Sequence, residues 1–66
     1  MKNTIKVERA RHNMTQAELA DKVNVTRQTI NAIEASKYDP SATLAFRIAR
    51  VFGVRVDDLF SLEEEE

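Results

Sequence analysis

Gln16-Ala17-Glu18-Leu19-Ala20-Asp21-Lys22-Val23-Asn24-Val25-Thr26-Arg27-Gln28-Thr29-Ile30-Asn31-Ala32-Ile33-Glu34-Ala35 is the stretch that decides how this chain folds. Leu19, Val23, Val25, Ile30 and Ile33 share one side at helical spacing, while Arg27, Gln28, Asn31 and Ala35 fall on the opposite face of the second half. The pattern predicts two short helices packed at a steep angle, the second turned outward to be read: a helix-turn-helix over 16–35.

The start of each helix is written in hydroxyls. Thr15 caps the first, and Glu18 three residues later completes a capping box, in which the threonine bonds forward to the backbone and the glutamate bonds back. Thr26 caps the second. Ala20 is small where the two helices approach, and Asn24 sits at the turn, where asparagine tolerates a left-handed backbone better than most residues. Upstream, Asn3 or Thr4 caps a first helix that runs to about His12, with Ile5, Val7, Ala10 and Met14 as its apolar positions. Downstream, Ser36 to Ser41 is polar and holds Tyr38-Asp39-Pro40, a loop signal. Ser41 then restarts a helix carrying Leu44, Ala45, Ile48, Ala49 and Phe52, which Gly53 ends. Asp57 and Asp58 suit the start of one more short helix with Leu59 and Phe60, because negative charge is favoured at a helix N-terminus. The expected class is all-α, five short helices in a single domain spanning 1–66.

A chain of 66 residues buries about 60% of the surface its unfolded form exposes, so a partner subunit would help its stability. With no cysteine and one histidine, neither a disulfide nor a metal site is expected. No nucleophile–base constellation or glycine-rich phosphate loop points to an enzyme, and no cofactor is expected. There is no apolar run long enough for a membrane span and no secretory signal pattern, so the expected location is the cytoplasm.

A net charge of −1 is unpromising for a nucleic-acid binder, but the charge is unevenly placed. All ten basic residues lie at or before Arg55, and six of the eleven acids, Asp57, Asp58 and the tail 63–66, lie after it. Residues 1–56 therefore carry ten basic groups against five acids, a balance of +5. Attraction to a polyanion depends on local potential over a Debye length of about 8 Å, so a distant acidic tail need not cancel a basic face.

With Thr15-Gln16 entering the second helix, Val25-Thr26-Arg27-Gln28-Thr29-Ile30-Asn31-Ala32-Ile33-Glu34 as the third, Lys37-Tyr38-Asp39-Pro40-Ser41 as the loop and Val51-Phe52-Gly53-Val54 leading to the last, the chain resembles the Xre/Cro-type helix-turn-helix repressors. This is the lambda repressor-like family, and the short dimeric members such as the cytolysin operon repressor are the most similar. The resemblance implies a sequence-specific transcriptional regulator, a repressor that binds double-stranded DNA as a homodimer. Three departures stand out. Asn24 and Ser36 occupy positions where the family usually has glycine, and Glu8 stands where an apolar residue is common. Glu8 is expected to turn to solvent, with Val7 taking up the packing.

A helix in the major groove reads bases from the side chains near its N-terminus. Arg27 and Gln28 are therefore the first candidates for base contact and Asn31, one turn on, the third. On an isolated amphipathic helix the same residues would be an ordinary wet face. Gln16, Thr26, Thr29, Lys37 and Tyr38 are candidates for the sugar–phosphate backbone, which supplies affinity and register without sequence information. Arg47 and Arg50 read as a solvated face or as partners for the acidic end, and His12 as an ordinary surface residue. The resemblance further implies an ion pair between Arg9 and Glu34, dimerisation through about 54–62 by Val54, Val56, Leu59, Phe60 and Leu62, and a small antiparallel ribbon pairing residues 1–3 with 61–63. A second function class remains open: an antitoxin or protein-interaction module on the same fold, with a regulatory protein as its partner. Such a module usually carries an extra binding segment, for which only the acidic tail is available.

Overall fold

Hydroxyl side chains start the three middle helices, as the sequence implies. In the computed structural model, which describes residues 1–62, Thr15 Oγ1 accepts from the Glu18 amide at 3.0 Å and Glu18 Oε1 accepts from the Thr15 amide at 2.9 Å. Thr26 and Ser41 accept from the amides of Thr29 and Leu44, each at 3.2 Å. These bonds set the starts of α2 (Gln16–Lys22), α3 (Arg27–Glu34) and α4 (Ala42–Phe52). The bonds from Thr15 also hold the Glu18 carboxyl below its ordinary range. Before them runs α1 (Ile5–Arg11), and after them α5 (Val56–Leu59). Asn3, rather than Thr4, serves the start of α1: its Oδ1 accepts from the Ile5 amide at 3.2 Å, and the Thr4 side chain makes no capping bond.

The ends of α1 to α4 share one device. At Asn13, Asn24, Ser36 and Gly53 the backbone turns left-handed, with φ of 52°, 62°, 59° and 68°. In each case the next amide reaches back to a carbonyl five residues earlier: Met14 to Arg9 at 2.9 Å, Val25 to Ala20 at 3.0 Å, Lys37 to Ala32 at 2.9 Å and Val54 to Ala49 at 3.1 Å. Asparagine tolerates this conformation through its short polar side chain, which is how the turn between α2 and α3 closes without glycine. Space is open around a Cβ built at Gly53, so Gly53→Ala isolates the backbone cost. It is expected to destabilise by about 1 to 2 kcal/mol, seen as a lower thermal midpoint with unchanged helicity before the transition.

Ile5, Leu19, Val23, Ile30, Ile33, Ile48 and Leu59 are fully buried, and Ala20, Ala45 and Ala49 let the helices approach around them. The chain ends form the expected ribbon, with its second strand starting at Phe60, one residue earlier than expected. Strands β1 (Lys2–Asn3) and β2 (Phe60–Ser61) pair antiparallel, Lys2 opposite Ser61 and Asn3 opposite Phe60; the part of the expected ribbon at residue 63 lies outside the described residues, as does the tail 63–66. Asn3 Nδ2 also donates to the Ile33 carbonyl at 2.9 Å, which ties the ribbon to the end of α3.

Helix α1 is rotated from the expected orientation. Val7 is 52% exposed, and Glu8 is buried, only 9% exposed. Ile5 fills the core and Arg9 reaches across to Glu34, and a helix that satisfies both must carry position 8 inward and position 7 outward. Glu8 is accommodated by Arg11, whose Nη1 lies 3.8 Å from its carboxylate. His12 is exposed, as expected, and it is not without partners: its Nδ1 hydrogen-bonds the Glu8 carbonyl at 2.9 Å, and its ring lies 5.2 Å from that of Phe52.

Candidate nucleic-acid interface

Helix α3 presents its polar face to solvent because its apolar face is fully used. Ile30 and Ile33 are buried, which leaves Arg27, Gln28 and Asn31 exposed along the opposite side, in the first and second turns. Arg27 has no carboxylate partner among the described residues, and its guanidinium keeps all its donors available. Thr26 is exposed at the helix start and shares a 3.1 Å hydroxyl contact with the partly buried Thr29. Lys37 and Tyr38 are exposed in the loop that follows. The predicted candidates therefore lie in three places: Thr26, Arg27, Gln28, Thr29 and Asn31 at the start of α3, Lys37 and Tyr38 in the loop after it, and Gln16 at the start of α2.

The other end of α3 is organised by Glu34. Arg9 Nε donates to Glu34 Oε2 at 2.7 Å and Arg9 Nη2 to Oε1 at 3.1 Å, a two-pronged pair with side chains only 15% and 9% exposed. The remaining prong, Nη1, donates to the Met14 carbonyl at 3.0 Å. The bond to Glu34 raises the guanidinium pKa against the opposing effect of burial, so the pair is held charged on the Arg9 side. Gln16 joins from α2, its Nε2 donating to Glu34 Oε1 at 3.1 Å. Beside this network lies an open depression lined by Arg9, Asn13, Thr15, Gln16 and Arg27.

The candidate dimer residues divide into two groups. Leu59 and Phe60 are 1% and 7% exposed and belong to the chain's own core, whereas Val54 and Val56 are half-buried and Leu62 is exposed. Sequence reasoning passed over Phe46, which is 65% exposed on α4 and forms a shallow groove with Ala49, Arg50, Gly53, Val54 and Val56. Its signal was present: Phe46 stands out of phase with the Leu44, Ala45, Ile48, Ala49 and Phe52 stripe, so the helix must carry it outward.

The family model for the helix-turn-helix matches residues 5–59, from the first core residue of α1 to the last of α5. The chain belongs to the helix-turn-helix family. It is 58% identical to an HTH-type transcriptional regulator of Methanocaldococcus jannaschii over the full length of both chains. It is 48% identical over 65 residues to the HTH-type transcriptional regulator YgzD of Bacillus subtilis, covering 98% of each. Among solved structures, the hypothetical transcription factor NHTF from Neisseria shares the fold with a TM-score of 0.76 over 82% of this chain, at 20% identity. This helix-turn-helix chain spans 61% of that longer one. Among its described residues no helix is long and apolar enough to cross a membrane, and no group of acids, histidine and cysteine could hold a metal ion.

Proposed function

We propose that this chain is a sequence-specific DNA-binding transcriptional regulator of the short dimeric Xre/Cro type, a cytoplasmic repressor that occupies an inverted-repeat operator. The observation that carries the reading is the exposed edge of α3, where Arg27, Gln28 and Asn31 stand free of the core in a helix-turn-helix family member. Arginine offers two parallel donors to guanine, and glutamine pairs with adenine in a bidentate way. Gln16, Thr26, Thr29, Lys37 and Tyr38 flank that edge and take the sugar–phosphate backbone, setting the helix in register. The test is selection of bound sequences from random DNA. Enrichment of an inverted repeat with half-sites about 10 base pairs apart supports the reading, and no enriched sequence overturns it.

One copy reads too few bases to specify an operator, so the regulator acts as a symmetric homodimer. Its interface is assigned to the groove that holds Phe46, Val54 and Val56, together with the exposed Leu62, while Leu59 and Phe60 are held in the chain's own core. Phe46→Ser should convert a dimer to a monomer in sedimentation at micromolar concentration. Because the ring is mostly exposed within one chain, helical content should stay unchanged. A wild-type monomer, or a Phe46→Ser dimer, removes this interface.

A further inference from the structure

Glu34 carries two roles in one carboxylate. One is structural and joins α1 to α3 through Arg9; the other reaches Gln16, which lines the open depression formed by the end of α1, the start of α2 and Arg27. We propose that Glu34 is a positioning residue for Gln16: it holds the Gln16 amide in the free protein so that the second N–H is set to donate to a DNA phosphate oxygen. The proposal rests on the reading of Gln16 as a backbone contact.

Three physical points support it. A carboxylate only accepts, so the amide atom that Glu34 engages is the nitrogen and not the oxygen. The Gln16 nitrogen carries two protons, and Glu34 engages one. The rotamer freedom that a surface glutamine would lose on binding is therefore already lost before DNA arrives. A carboxylate beside a polyanion would ordinarily repel it, but both oxygens of Glu34 accept from Arg9, so the pair presents no net negative charge. Arg9 thus makes the acceptor tolerable at that place.

The experiment is a double-mutant cycle on a selected duplex, with wild type, Gln16→Ala, Glu34→Met and the double variant, each measured at a temperature where it is folded; methionine fills the space and offers the Gln16 amide no oxygen acceptor. Gln16→Ala is expected to weaken binding about tenfold, Glu34→Met by a similar factor, and the double variant by no more than about twice the larger single loss. Losses that multiply show that Glu34 acts through fold alone and overturn the proposal. If Glu34→Met does not fold, the free wild-type protein decides: Gln16 side-chain amide protons displaced from free-glutamine shifts and slowed in solvent exchange support the bond, and free-glutamine behaviour removes it. Wild-type protein that binds no duplex at all takes the DNA reading down and this proposal with it, whereas tight binding with multiplicative losses takes down this proposal alone.

Discussion

Glu34→Ala is expected to cost about 3 to 5 kcal/mol, because it leaves the mostly buried Arg9 guanidinium charged and without its carboxylate. A chain of 66 residues has about 3 to 10 kcal/mol of stability in all, so the variant loses between about a third and all of it. The effect exceeds that of losing a surface ion pair, which is worth about 0 to 1 kcal/mol. Arg55 and Asp57 supply the internal comparison: they pair at 3.2 Å but are 79% and 72% exposed, and Asp57→Ala is expected to leave stability nearly unchanged. Thermal unfolding checks both. The Glu34→Ala midpoint should fall at least about 12 °C below wild type, and a midpoint equal to wild type would remove the argument. Replacing Arg9 and Glu34 together with apolar residues of similar volume should be milder than Glu34→Ala, since no stranded charge remains.

The second large effect is on reading. Arg27→Ala and Gln28→Ala are each expected to lose about 1 to 3 kcal/mol of discrimination at one base position per half-site while the fold stays intact, since both side chains are exposed. In repeated selection, each variant should still enrich the inverted repeat but with one position relaxed. The salt dependence separates this from a phosphate role: an arginine on the backbone would lower the slope of log affinity against log salt by about 0.9 when removed, and a base-reading arginine leaves sequence preference as the main loss. Two variants with the wild-type preference would show that α3 does not read bases through these residues.

Some parts of this molecule are legible without coordinates because their causes are local. A cap depends on a hydroxyl and an amide three residues apart, so Thr15, Thr26 and Ser41 declare the starts of α2, α3 and α4. The left-handed turn at Asn24 is legible for the same reason, and so is the division of α3 into a buried Ile30–Ile33 side and an exposed Arg27, Gln28 and Asn31 side. Phe46 is legible in the same way, since it stands out of phase with the apolar stripe of α4 and is exposed. The resemblance to a known family supplied the Arg9–Glu34 pair and the terminal ribbon, both joining residues far apart in sequence, which spacing alone cannot do.

What the sequence by itself determined is the set of helices, their caps and the polar edge of α3, all governed by interactions within one or two turns. The tertiary structure decided how the helices rotate against one another. Residue 8 goes inward because Ile5 and Arg9 both have distant partners to meet, and Leu59 and Phe60 are spent on the chain's own core because the ribbon folds β2 back onto β1. It also decided that Gln16 shares the carboxylate of Glu34, a bond across 18 positions of sequence. Such choices depend on which of several apolar or charged groups reaches a shared partner first in space, and a pattern with a period of 3.6 residues carries no information about that.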